Sequence, residues 1–155
     1  MSKMDNEKLD HLILETWTDF IDLKNKAELS EVLIPNSMPL LWFGDLAKYE
    51  KSDLKILTVS KNASYAEFGE NQRYEKLLTE FSSVNLETYK SNLNRYFEYN
   101  PSPWFNQLAK FLPVFDSAYK ESENQINRAL HIDLFTPIAT HPVWQIGRAS
   151  CRERV

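Results

Sequence analysis

Cysteine is almost missing from this chain, with one in 155 residues, at Cys151. A lone thiol excludes an internal disulfide framework and a Cys-rich metal site. That usage suits a reducing compartment, and the cytosol is the default expectation. Glycine is nearly as scarce, three in the whole chain, and the sequence has neither a Gly-rich phosphate loop nor the Gly-flanked serine of a hydrolase elbow. No apolar run reaches the ~20 residues a membrane helix needs. The start, Met1-Ser2-Lys3-Met4-Asp5-Asn6, is polar and lacks the layout of a secretion signal, so a cytoplasmic protein without a membrane partner is expected. His11, His131 and His141 share no metal-ligand spacing with one another or with acids, and no metal is expected. Acidic residues outnumber basic ones, 22 to 18. That balance argues against a sequence-indifferent nucleic-acid binder, whose affinity comes from phosphate attraction.

What is abundant is aromatic: four Trp, seven Tyr and nine Phe. Such a chain can build a dense core and offer flat surfaces for rings to stack on. The last ten residues, Ile146 to Val155, read as one frame of a common sequencing-library adapter, so they are set aside from fold reasoning. Removing three basic residues and one acidic residue with them moves the net charge from −4 to −6 and takes away the only cysteine. On this reading residues 1–145 form a single α/β domain cut short at its carboxyl end. A parallel sheet interrupted in that way is expected to bare a strand edge and an apolar face.

Leu9, Leu12, Ile13, Trp17, Phe20, Ile21 and Leu23 recur at three- and four-residue steps and predict a helix over about 5–26, capped by Asp5. Prolines at 35 and 39 break the pattern. A short apolar run, 40–45, ends in a turn and leads to a short helix over 45–51. Residues 54–60, Leu-Lys-Ile-Leu-Thr-Val-Ser, read as a strand covered on both faces, as in a parallel sheet. Helices are expected over about 70–81 and 86–99. A third starts at Pro103 with Ser102 as cap and carries Trp104, Phe105, Leu108, Phe111 and Leu112 inward. An amphipathic stretch, 116–128, precedes a second buried strand over 129–135.

The polar groups that could carry chemistry sit at the carboxyl ends of the two strands, where open α/β sheets place their ligands. After the first come Ser60-Lys61-Asn62-Ala63-Ser64; around the second are Asp133, Thr136 and His141. If the strands are parallel neighbours, the two loops face one cleft, in which the Asn62 amide can orient a water and Asp133 can accept from a ligand N–H. Short polar side chains at strand ends are also ordinary turn formers. His131 on a buried strand reads as a hydrogen-bonded core residue, and Lys48, Lys51, Lys55 and Lys61 read as a solvated face that could touch phosphates if it borders the cleft.

Over residues 38–144 the order of these features resembles the uracil-DNA glycosylase superfamily. There the first strand leads into Gly-x-Asn-Pro-Gly/Ser or Gly-Gln-Asp-Pro-Tyr, and Ser60-Lys61-Asn62-Ala63-Ser64 occupies that place. Pro101-Ser102-Pro103-Trp104-Phe105-Asn106-Gln107-Leu108 is similar to a family helix that begins Pro-Pro-Ser-Leu-x-Asn. His131-Ile132-Asp133-Leu134-Phe135-Thr136-Pro137 is similar to a strand reading Leu-Leu-Asn-x-x-Leu-Thr, with Asp133 where the base-reading asparagine falls. The resemblance implies a three-layer α/β fold with a mostly parallel sheet, incomplete at its carboxyl end. It also implies hydrolysis of the N-glycosidic bond of a uracil or related base flipped out of DNA. In these terms Asn62 places the catalytic water, and Ser64, Phe68, Tyr74 and Asp133 bind substrate, with Phe68 or Tyr74 stacking on the ring. DNA is the implied partner, the full-length form is expected to be a monomer, and no cofactor is required.

The departures are specific. Glycine and proline are absent around Asn62, and an acid stands where a neutral amide reads the base. The family's second catalytic loop, His-Pro-Ser, would fall beyond residue 145. His141-Pro142 comes too soon after the second strand to be that loop, so the piece is expected to be inactive. The competing reading is a nucleotide- or protein-binding module on the same scaffold, without catalysis. A nucleoside- or nucleotide-processing enzyme is a third.

Overall fold

A computed structural model describes residues 3–29, 32–34, 37–63, 65–70, 73–74, 85–134 and 138–141. The expected helix over 70–81, apart from residues 70, 73 and 74, lies outside them, as do Ser64, Thr136 and the adapter-like tail. The described chain is a mixed α/β fold around a small, all-parallel, three-stranded sheet in the order β1-β3-β2. Its strands are β1 (Ile56–Ser60), β2 (Ser117–Ala118) and β3 (Asn127–Asp133). Four helices frame it: α1 (Lys3–Lys24), α2 (Leu46–Lys51), α3 (Leu86–Asn94) and α4 (Phe105–Ala109).

α1 begins two residues ahead of its expected cap, which leaves Asp5 inside the first turn. The stripe buries Ile13 and Phe20, while Leu12 and Ile21 are exposed. Asp45 caps α2 by accepting from the Lys48 amide at 2.9 Å. Asn85 caps α3 in the same way through the Thr88 amide, at 3.0 Å. Immediately before Asp45 lies Gly44, whose φ of +112° is strained for any residue with a Cβ. That turn delivers Phe43 to the central strand, where it exchanges backbone bonds with His131 at 2.8 and 3.0 Å.

β1 pairs with β3 from Ile56↔Ala129 to Ser60↔Asp133. Side chains alternate along a strand, so Thr58 and Ser60 share one face with His131 and Asp133. The expectation that β1 is covered on both faces is corrected. Leu57 is 45 % and Val59 47 % exposed, because among the described residues nothing covers the face of β1 opposite Thr58 and Ser60. The strand expected over 129–135 starts two residues earlier, at Asn127, and Leu134 beyond it is exposed.

The helix from Pro103 also differs. α4 runs for only five residues and passes into a 3-10 turn, Leu112–Phe115. The change of pitch breaks the helical phase after Ala109, so Leu112 points inward while Phe111 is exposed; at the start of α4 Phe105 is buried and Trp104 is exposed. The amphipathic stretch 116–128 holds β2 and turns, Asp116 adopting the left-handed conformation that ends the preceding turn. Phe43, Tyr96, Phe97, Phe105 and Tyr119 form the centre of the core, mostly edge to face, with Phe97 and Tyr119 stacked at 4.2 Å. Among the described residues no helix is long and apolar enough to cross a membrane.

Candidate functional site

Where β1 and β3 end side by side, a cavity of about 660 Å³ opens. Ser60, Lys61, Asn62 and Ala63 line it from the β1 turn, and His131 and Asp133 from β3. Phe43, Phe68, Tyr96, Trp104 and Phe105 supply rings, and Tyr65 and His141 meet at its margin with ring centroids 4.2 Å apart. The site thus pairs an aromatic enclosure with a few convergent polar groups, the composition that suits a flat heterocycle.

Asn62 is fixed by donation from Nδ2 to Thr140 Oγ1 at 2.9 Å and, more weakly, to the Ala63 carbonyl at 3.4 Å. Its Oδ1 is buried and has no hydrogen-bond partner among the described residues. Asp133 has the same arrangement. Ser60 Oγ donates to its Oδ1, its side chain is 1 % exposed, and its Oδ2 is buried without a partner. A buried acceptor left unsatisfied costs about 1–3 kcal/mol. Both residues belong to the lining of one cavity, although each of these oxygens is itself shielded from solvent. Proximity comes from register alone, since Ser60 and Asp133 are Cα partners and Asn62 lies two residues beyond Ser60.

Phe68 lines this cavity from a π turn, Ala66–Glu70, with its ring almost wholly buried and tilted against Phe43 at 6.4 Å. Tyr74 is not brought to it. That side chain lies in the wall of a second cavity, of about 760 Å³, and its hydroxyl donates to the Asn92 carbonyl at 3.1 Å. Of the lysine series only Lys61 lines the site. Lys48 pairs with Glu121 at 3.1 Å, and Lys55 donates to the Glu50 carbonyl at 2.7 Å.

Sequence reasoning missed Glu67, which lies between the two cavities. Burial pushes its carboxyl above the usual range, against the pull of the Tyr96 hydroxyl and of Arg73. Tyr96 donates to both its oxygens at 2.8 Å and Arg73 to Oε1 at 2.6 Å. Arg73 also donates to the carbonyls of Tyr96, Tyr99 and Asn100 and lies over the Tyr96 ring at 4.1 Å. The group ties the turn after Phe68 to the segment before α4. Its only sequence signal is a buried-length spacing of Glu, Arg and Tyr across segments remote in the chain, which no motif encodes.

Among the described residues no three His, Cys, Asp or Glu side chains cluster as a metal site. No family model, curated protein or solved structure matches this chain.

Proposed function

We propose that this cavity binds a nucleobase and that the protein is a DNA base-excision glycosylase of the uracil-DNA glycosylase-like kind, with a three-layer α/β domain. The supporting observation is that Asn62 and Asp133, each carrying a buried acceptor with no partner among the described residues, line one aromatic-walled hollow. In the proposed reaction Asn62 Oδ1 accepts from a water and aims its oxygen at C1′ of a flipped nucleotide. The C1′–N bond breaks, the water's hydroxyl joins C1′, and its remaining proton ends on the departing base. Asp133 Oδ2 accepts an N–H of the base edge, and Phe68, in the same lining, offers a ring for stacking. Lys61, in the same wall, is placed to meet a flanking phosphate.

A second reading, a nucleobase- or nucleotide-binding module without hydrolysis, is favoured by one observation. Asn62 Oδ1 is buried even from solvent, so the cavity must open before a water can reach it.

The test is release of base by the protein expressed from its complete natural reading frame, from single- and double-stranded oligonucleotides carrying one uracil, read as strand scission at the abasic site after alkali. The glycosylase reading predicts scission that falls on the order of a hundredfold or more in Asn62→Ala, the usual scale for losing a group that activates the nucleophile. Equal scission in the variant contradicts that role for Asn62. Binding of free uracil without scission selects the binding module, and neither binding nor scission overturns both.

A further inference from the structure

From the aromatic core to the cavity runs an unbroken line of polar side chains. Tyr119 Oη lies 2.7 Å from Thr58 Oγ1. Thr58 Oγ1 is 2.8 Å from Nδ1 of His131 and 3.1 Å from the Leu130 carbonyl. On the other side of the imidazole, Nε2 lies 3.1 Å from Ser60 Oγ and 3.6 Å from Asp133 Oδ1. The ring is 1 % exposed and enclosed by Phe43, Trp104 and Phe105, with centroids 5.5, 5.5 and 4.8 Å away. Hydrogens in this enclosure must be shared among these atoms, since rings and apolar side chains offer no substitute.

A hydroxyl has one proton, and that limit decides the direction of the chain. Ser60 gives its proton to Asp133 Oδ1, so toward His131 it can only accept, and Nε2 carries a hydrogen. In a neutral imidazole Nδ1 then has none and must accept, and the donor in reach is the Thr58 hydroxyl. Thr58 in turn accepts from Tyr119. Four hydrogen bonds therefore point the same way, from Tyr119 through Thr58, His131 and Ser60 to Asp133. The other neutral tautomer would set the Nε2 lone pair against a Ser60 lone pair and release Thr58 to the Leu130 carbonyl.

We propose that His131, held by Thr58 as the Nε2-protonated tautomer, is a positioning residue for Asp133: acting through Ser60, it saturates Oδ1 and leaves Oδ2 as the acceptor for a ligand N–H. The ligand part rests on the nucleobase reading above, whereas the tautomer does not. A site of this polarity is expected to favour a heterocycle that offers a hydrogen at that point over one that offers only carbonyl oxygen or bare ring nitrogen there.

The experiment is long-range ¹H–¹⁵N correlation on the full chain with labelled histidine, in a H11Q/H141Q background so that only the ring of His131 reports. Expected is one species with a protonated, pyrrole-like Nε2 and an unprotonated, pyridine-like Nδ1. Thr58→Val is expected to move the Nδ1 resonance or mix the tautomers, and Thr58→Ser to restore the parent spectrum. A parent ring protonated at Nδ1, or a Thr58→Val spectrum unchanged from the parent, overturns the proposal. Should Thr58→Val not fold, the parent and Thr58→Ser spectra still decide it, because both must show the Nε2–H form. An Nε2–H ring in a protein that releases no uracil leaves this inference standing and removes the glycosylase reading; an Nδ1–H ring with release does the reverse.

Discussion

The two faces of β1 invert the usual pattern. Leu57 and Val59, its most apolar side chains after Ile56, are nearly half exposed, while Thr58 and Ser60 point toward the core with Ile56. Burying hydroxyls ordinarily costs free energy. Here each inward hydroxyl has partners: Thr58 meets Tyr119, His131 and the Leu130 carbonyl, and Ser60 meets His131 and Asp133. The inner face is thus the more exacting of the two, although a hydropathy pattern would rank it second. An edge strand can leave its apolar side chains bare, whereas a strand that carries the floor of a cavity cannot leave its hydroxyls unpaired.

Four measurements would break or sharpen that comparison. The largest effect is expected at the ring against which the inner face packs. Phe105 meets Phe43, Tyr96, Phe97, Tyr119 and His131, and Phe105→Ala should cost about 3–5 kcal/mol in urea unfolding, the range for emptying a buried aromatic site.

Next comes the alkaline limit. Burial pushes the Tyr119 phenol up to about 12 from its ordinary 10, with Thr58 pulling the other way. A raised folded value means the neutral form is favoured by folding. Its contribution is complete below about pH 10 and is lost as pH rises toward 12, by about 2–3 kcal/mol in all. Tyr119→Phe should flatten the fall of the urea midpoint over that window, and an unchanged slope would show that the phenol titrates as it does in the unfolded chain.

Thr58→Val keeps the volume of the side chain but orphans Tyr119 Oη and His131 Nδ1. It should destabilise by about 2 kcal/mol, within the range for buried groups left unsatisfied. On the outer face Leu57→Thr and Val59→Thr should change the free energy of urea unfolding by no more than about 0.5 kcal/mol, as ordinary surface substitutions do, since threonine suits a strand as well as they do. If the outer pair cost more than Thr58→Val, the assignment of faces is wrong.

Much of the architecture was legible. The stripe in α1, the Asp45 turn and the two apolar runs identify elements whose signals are local. Parallel neighbours with polar carboxyl ends then place Asn62 and Asp133 at one rim, as strand register requires. What local pattern could not reveal is which face of β1 is covered, because that depends on which distant segments pack against the sheet. The failure at Phe111 has a different origin: a periodicity count assumes an unbroken helix, and α4 changes pitch after one and a half turns. Tyr74 lines the neighbouring cavity with its ring 6.1 Å from that of Phe68, and its φ of +71° is a backbone feature that no periodicity shows. Glu67, Arg73 and Tyr96 form a contact between distant segments, and nothing in a single sequence announces such a pairing.

The most direct test of the account is a titration of uracil into ¹⁵N-labelled protein, following the side-chain amide of Asn62, the backbone amide of Asp133 and, as a control in the other cavity, the backbone amide of Tyr74. One shared saturation curve for residues 62 and 133, absent at residue 74 and abolished by Asp133→Ala, is the predicted result. Saturation at Tyr74 with Asn62 and Asp133 unmoved would contradict the claim that these two side chains serve one ligand.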